Sequence, residues 1–350
     1  MRVLELRAVF KPLVFALIVA SCSTQTYRDT NVRPSGEPYN SEFPDRPSSK
    51  ALEQISRSVC SINCIGSYRV YPFDENEHVL RSDVNEQLLQ RNLPNTYFSD
   101  NSVQGTATVI SNDGTKICFI TCAHVVNLPD TVVAYHVGPN GRATKYVRSV
   151  AVKVKQFNFI SPFPEDGSVE VVAIDSEKDI AILGKRLQSD FGKGVAPIPC
   201  SLGDAKELNW GTFVYVFSYP AGVRMVTRAI VSNPHKDTTG SFYIDAVLNQ
   251  GSSGGVVLAI RGGIPNFEVV GIVRIVPARF SYFLAPEDSV ALQYDRYTPF
   301  EGKTFVRKRT DIETGVTKCI PAEVVRAFLD QNKDQMARQG YDCSVFLKSD

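Results

Sequence analysis

At ~150 residues per domain, a chain of 350 residues holds two compact units, or one domain built from two similar halves. With 43% hydrophobic and 21% charged residues it is too polar for a bundle of membrane helices and too apolar for a disordered chain. Lys+Arg 38 against Asp+Glu 37 leaves a formal charge of +1, so no charge excess argues for nucleic acid or another polyanion as a partner.

Arg2, Arg7 and Lys11 precede an unbroken apolar stretch, 12–20 (PLVFALIVA), which ends at Ser21 and Cys22. This is the cationic and apolar order of a secretory signal. About ten helical residues rise ~15 Å, half of a ~30 Å hydrocarbon core, so a spanning helix is not expected. Val19-Ala20-Ser21-Cys22 resembles the bacterial lipobox, which implies a signal peptide over 1–21 and a lipid on the Cys22 thiol. Residues 22–50 are Pro-rich and nearly free of aliphatic side chains, the composition of a flexible tether. Ser23 stands where an Asp after the Cys would resemble an inner-membrane retention signal, so an outer-membrane destination is favoured.

After Cys22 come Cys60, Cys64, Cys118, Cys122, Cys200, Cys319 and Cys343, an odd number that leaves at least one outside any intrachain pair. On strands, Cys60/Cys64 and Cys118/Cys122 would each stand ~13 Å apart, beyond disulfide reach. Neither CxxC spacing nor clustered His accompanies them, so no metal and no cofactor is expected. Buried thiols or longer-range disulfides remain.

From residue 51 onward, apolar runs alternate with turn signals. Residues 106–111 (TATVIS), Asn112-Asp113-Gly114 and 116–121 (KICFIT) read as a tight hairpin. Similar runs follow at 131–136, 150–154, 169–174, 180–183, 213–217, 226–231, 242–247, 256–260 and 269–276. A dozen strands without intervening helices predict an all-β body of sandwiches or closed barrels. Helical spacing is confined to 83–90, inside a polar insert at 67–102, and to 321–331, where Val324, Val325, Phe328 and Leu329 share one side. A second insert, 277–318, carries Phe280, Tyr282, Phe283, Tyr294, Tyr297 and Phe300 before the basic run 306–309, and its aromatics are expected to cover the insert itself.

Gly251-Ser252-Ser253-Gly254-Gly255 lies between two apolar strands, with glycines that let the backbone turn tightly and aim an N–H at an anion. The string also fits the G-x-S-x-G nucleophile elbow, but that fold takes its His after the Ser. Here His78, His124, His136 and His235 all precede Ser253, and a strand rather than a helix follows it. A subtilisin order needs an acid before His124 and a helix-rich body. The order left is His, Asp, Ser: His124 at the end of the KICFIT strand, Asp179 before an apolar strand, and Ser253.

TCAHVV, DIAIL and DAVLNQGSSGG resemble the three catalytic blocks of trypsin-like serine proteases, closest to the HtrA-type bacterial branch. Residues 105–111, 226–232, 271–273 and 320–321 resemble its supporting blocks. The resemblance implies two six-stranded antiparallel β-barrels, over 51–200 and 201–320 (with the insert 277–318), followed by a short C-terminal helix and tail over 321–350. It implies Ser253 as nucleophile, His124 as general base, Asp179 as the group fixing its tautomer, and Gly251 and Ser253 amides as the oxyanion hole. Imidazoles ordinarily titrate near ~6.5, so activity is expected to rise through about pH 6 to 7.

Departures from the family shape the expectations. Ser252 replaces the Asp that pairs with a freshly cut N-terminus in digestive relatives, so activation by trimming is not expected. Val247, six residues before Ser253, replaces the acid that binds Lys or Arg, and implies a preference for small or medium apolar residues. Val247, Gly271, Ile272, Val273 and Arg274 are the expected substrate pocket, with Arg274 left to narrow it, bind a substrate carboxylate or face solvent. About 19 residues after the helix leave no room for a PDZ-like module, and 67–102 is placed like the long regulatory loop of that branch. The expectation is a lipid-anchored serine endopeptidase acting on proteins or peptides at the bacterial cell envelope; the alternative is a non-catalytic binding or chaperone-like protein on the same scaffold.

Overall fold

The apolar runs become strands that all pair antiparallel within their sheets. In the computed structural model, residues 37–347 are described apart from 45, 139–141, 162–166, 188–193, 235–239, 276–277, 287–301 and 313–314. The signal peptide, Cys22, His235 and the Tyr294, Tyr297 and Phe300 aromatics lie outside the described residues.

Seven strands form the first sheet: β1 (Val59–Pro72), β2 (Tyr97–Asn112), β3 (Lys116–Thr121), β4 (Thr131–Val137), β5 (Ala143–Ser161), β6 (Glu170–Asp175) and β7 (Ile180–Arg186). Their order is β4-β5-β1-β2-β3-β7-β6. A six-stranded closed barrel was the expectation for this half, and the difference has a physical source. β5 is long enough to pair through 149–161 with β1 and through 143–152 with β4, which adds a strand to the sheet. The second half meets its expectation: β8 (Phe213–Ser218), β9 (Met225–Asn233), β10 (Phe242–Ile244), β11 (Val256–Ile260), β12 (Phe267–Ile275) and β15 (Thr317–Pro321) close a barrel in the order β10-β15-β12-β11-β8-β9. Closure removes the unpaired edges that would recruit other chains. Between its last two strands, β13 (Ala278–Ala285) and β14 (Phe305–Ile312) form a separate two-stranded ribbon.

One buried cluster runs through both halves, with Ile62, Phe119 and Ile182 from the sheet and Phe217, Leu258 and Ile320 from the barrel. Each such side chain contributes ~1.5 to 3 kcal/mol on leaving water, so the halves stabilise each other. Among the described residues the α-helices are α1 (Ser49–Ser56), α2 (Glu86–Arg91), α3 (Ala123–Val126), α4 (Ala322–Arg338) and α5 (Ser344–Leu347), of which only α4 is long. Among the described residues none is long and apolar enough to cross a membrane.

Three expectations need correction. The tether 22–50 does not stay free to its end: Tyr39 is buried, its hydroxyl donates to Glu268 (2.6 Å), and Asn40 N donates to Ile260 O. The insert 67–102 begins and ends as β-ribbon, because β1 and β2 stay in register from Val59↔Thr108 to Val70↔Tyr97, and only 73–96 between them is turns and a short helix. The C-terminal helix passes residue 331 and ends at Arg338.

Candidate active site

β3 ends at Thr121, whose hydroxyl donates to Thr106 O (2.7 Å), and the chain turns there into α3. Ala123, Val125 and Val126 bury their side chains, so His124 is the residue of this turn left facing out, with its side chain 42% exposed. The acid arrives from the neighbouring strand, since β7 pairs with β3 up to Thr121↔Ala181. Asp175 Oδ1 accepts from Glu177 N and Lys178 N, closing a turn that delivers Asp179 just before β7. Asp179 has φ +63, a left-handed conformation that Asp tolerates better than most side chains.

The two groups meet. Asp179 Oδ1 accepts from His124 N at 2.9 Å, and His124 Nδ1 lies 3.0 Å from Oδ1 and 2.9 Å from Oδ2. A carboxylate on Nδ1 places the ring proton there and leaves Nε2 as the free base. Burial raises the proton affinity of Asp179, but the hydrogen bonds from His124 and the charge of Arg274 outweigh it and hold the carboxyl below its ordinary range.

Ser253 comes from the barrel, in the loop before β11. Gly251 and Gly254 have φ +97 and +87, and a Cβ on Gly254 would stand 2.1 Å from Thr106 O. Only glycine permits that approach. The loop is pinned to the first sheet by Thr106 N donating to Ser253 O (2.8 Å), and to β12 by Gly254 N donating to Val273 O (2.8 Å). A Cβ on Gly105 would touch both the Val125 side chain and Ser253 O, so the Ser253 backbone and the His124 helix share one neighbour. The Ser253 hydroxyl makes no hydrogen bond among the described residues, and His124 Nε2 makes none either. Hydrogen bonds between a nucleophile and its base are often long without a ligand and tighten when one binds.

The amides beside Ser253 are arranged for an anion. Gln250 O accepts from Ala221 N (2.9 Å) and Gly251 O accepts from the Thr106 hydroxyl (2.7 Å). In a trans peptide the N–H points opposite the C=O, so tying back the Gln250 carbonyl turns the Gly251 N–H the other way. Neither Gly251 N nor Ser253 N donates to a protein acceptor among the described residues. Ser252 is fully buried, with its Oγ 3.3 Å from Ser218 Oγ, a neutral pairing.

The expected pocket is revised. Gly271, Ile272 and Val273 are paired on both sides, with β11 at Val256↔Ile272 and β15 at Ile272↔Ile320, and the Ile272 and Val273 side chains are buried. Val273 also holds the nucleophile loop, its carbonyl accepting from Gly254 N and its amide donating to Gly255 O. Val247 is 62% exposed, an open apolar shelf instead of an enclosed floor. Arg274 makes a contact the sequence did not suggest: its Nε donates to Asp179 Oδ2 (3.2 Å) and a terminal nitrogen donates to Glu177 O (3.4 Å).

Cys122, His124 and Asp179 gather one potential metal ligand each. The donor set does not suit a cation: burial holds the Cys122 thiol protonated, it donates to Val273 O, and the carboxylate is already shared by His124 and Arg274. The seven Cys after Cys22 are free and buried. His78 packs edge-to-face against Tyr146, and His136 Nε2 pairs with Phe73 O, both away from the site. Sequence reasoning missed Thr106, whose buried hydroxyl also accepts from Tyr219 N (2.9 Å). Its signal was a polar residue at a core position of an apolar strand.

Residues 105–272, a span holding His124, Asp179 and Ser253, match the family model of a trypsin-like peptidase domain. No curated protein matches the chain by sequence. Among solved structures it is similar to the thermostable serine protease AL20 from an extremophilic microorganism, at 12% identity and a TM-score of 0.37, covering 82% of this chain and 100% of that one.

Proposed function

From a chain that carries a trypsin-like peptidase domain over residues 105–272, we propose a serine endopeptidase that cleaves proteins or peptides through an acyl-enzyme on Ser253. The observation that carries this reading is the doubly bonded His124–Asp179 pair, with Val125 of its helix and the Ser253 carbonyl both against Gly105, and with Gly251 and Ser253 amides that meet no protein acceptor among the described residues. His124 Nε2 takes the Ser253 proton as Oγ attacks the scissile carbonyl, then returns it to the leaving amine. Asp179 holds the imidazole and balances its positive charge. The Gly251 and Ser253 amides take up the oxyanion, and losing one such donor typically costs ~2.7 to 4 kcal/mol of transition-state stabilisation.

A fluorophosphonate probe tests the proposal. The wild type is labelled and Ser253→Ala is not; an unlabelled wild type with native circular dichroism supports the alternative, a binding protein on the same scaffold, which the missing Ser253–His124 hydrogen bond favours. Val247 extends the proposal to substrates with small or medium apolar residues before the scissile bond, and its openness suits side chains of varied length. Peptide-library cleavage chiefly after Lys or Arg would overturn that preference. The lipobox resemblance at Cys22 extends it to an enzyme anchored at the bacterial envelope, where metabolic palmitate labels the wild type and not Cys22→Ala.

A further inference from the structure

Arg274 arrives on β12 of the barrel and crosses to the first sheet. Its neighbours Gly271, Ile272 and Val273 are bound into the barrel by backbone pairing, so the position of its Cα is fixed. Nε then bonds Asp179 Oδ2, the oxygen that His124 Nδ1 also approaches at 2.9 Å, and a second guanidinium nitrogen reaches Glu177 O. Both bonds fall on one turn, and that turn holds Asp179 at its positive φ. The side chain is 32% exposed, while Asp179 is at 9%, so the cation closes the solvent side of a buried carboxylate.

We propose that Arg274 is a positioning residue that fixes the Asp179 carboxylate against His124 and, as a permanent cation beside the imidazole, sets the pH range over which His124 accepts a proton. The inference rests on the peptidase reading above. A guanidinium sharing an oxygen with the imidazole opposes the imidazolium electrostatically, through the same carboxylate that supports it. The other ionisable groups around the pair are the thiols of Cys122 and Cys319, which burial keeps protonated, Asp175, which is paired with Lys178 at 2.9 Å, and Glu177 on the same turn. Among the described residues Arg274 is thus the cation bonded to the Asp179 carboxylate. Its bond is partly open to solvent, which moderates its strength.

The test uses Arg274→Met and Arg274→Lys in the full-length protein, with kcat and KM followed against pH on one peptide substrate. For Arg274→Met, kcat falls ~10- to 100-fold, the scale of a charge-assisted hydrogen bond, and KM changes little. The acid limb of kcat/KM moves to higher pH. Arg274→Lys, which keeps the charge without the two-pronged geometry, restores the acid limb more fully than kcat. A fall in kcat without any movement of the acid limb would overturn the proposal, as would an effect confined to KM, which would make Arg274 a substrate-binding group. A second arm needs no activity. In Ser253→Ala, the His124 ring titration followed by NMR shifts to higher pH when Arg274→Met is added, and an unchanged titration would overturn the proposal. A wild type that fails the fluorophosphonate test while this shift is present would sink the peptidase reading and leave the Arg274 coupling standing.

Discussion

Asp179 combines two demands that few side chains meet together: a left-handed backbone and a carboxylate aimed at an imidazole. Asn also tolerates that conformation, so Asp179→Asn leaves the turn in place and removes only the charge. The amide then presents an N–H to the ring, which favours the wrong tautomer, and kcat is expected to drop by about four orders of magnitude with little change in circular dichroism. Because the carboxyl is held below its ordinary range, its contribution to stability is full above that range and is lost as pH falls through the lowered value. The same substitution therefore flattens the acid edge of the stability profile, read from urea midpoints across low pH. Gly251 makes a complementary case. Its φ is +97 and a Cβ would stand 2.3 Å from Tyr219 O, so Gly251→Ala forces the peptide that carries the oxyanion amide to move. Its expected signature is a kcat loss of at least ~100-fold with fluorophosphonate labelling slowed in parallel.

Element by element, the sequence was most informative where a side chain's burial depends on local pattern. The 106–111 and 116–121 runs, with Asp113 Oδ1 accepting from Thr115 N and Lys116 N across the turn, appear as β2, β3 and a tight hairpin. The outer halves of β1 and β2 were read as a polar insert because residues 97–102 of the ribbon expose both faces, and apolar alternation vanishes where no face is buried. α4 was cut short for a similar reason: beyond residue 331 only Met336 is buried, so backbone hydrogen bonds, not an apolar stripe, carry the helix onward. His124, Asp179 and Ser253 were legible because catalysis demands particular residue types in a particular chain order. The role of Arg274 was not, since a partner 95 residues away leaves no trace in local spacing. The start of α4 holds another such long-range pair. Glu323 is pushed up to about 7, first by burial and then by sharing a hydrogen bond with Asp204, whose own carboxyl is held low. Between the ordinary 4.5 and about 7 the folded protein binds a proton that the unfolded chain has released, so stability falls as pH rises through that window. Glu323→Gln keeps an oxygen for Ala205 N and a donor for Asp204, and is expected to abolish that slope in denaturant midpoints between pH 4.5 and 7.

At the scale of the whole molecule, the proposed site is divided: the base and acid belong to the sheet, while the nucleophile and oxyanion amides belong to the barrel. Catalytic geometry therefore depends on the ties between halves, and Thr106 is central to them. From β2 its N–H donates to Ser253 O, its hydroxyl donates to Gly251 O and accepts from Tyr219 N, and its carbonyl accepts from the Thr121 hydroxyl at the foot of the His124 helix. Thr106→Val keeps the shape and both backbone bonds but strands a buried carbonyl and a buried amide, each costing about 1 to 3 kcal/mol. The urea midpoint should fall accordingly with an unchanged m-value. Freed from its tether, the Gly251–Ser252 peptide, which links the Gly251 and Ser253 amides, can rotate and disturb their spacing, so kcat should fall more than KM rises. Thr106→Ser, which retains the hydroxyl and loses only a methyl group, should recover most of kcat. Equal losses in the two variants would mean that packing at this position, and not the hydroxyl bridge, holds the halves in register.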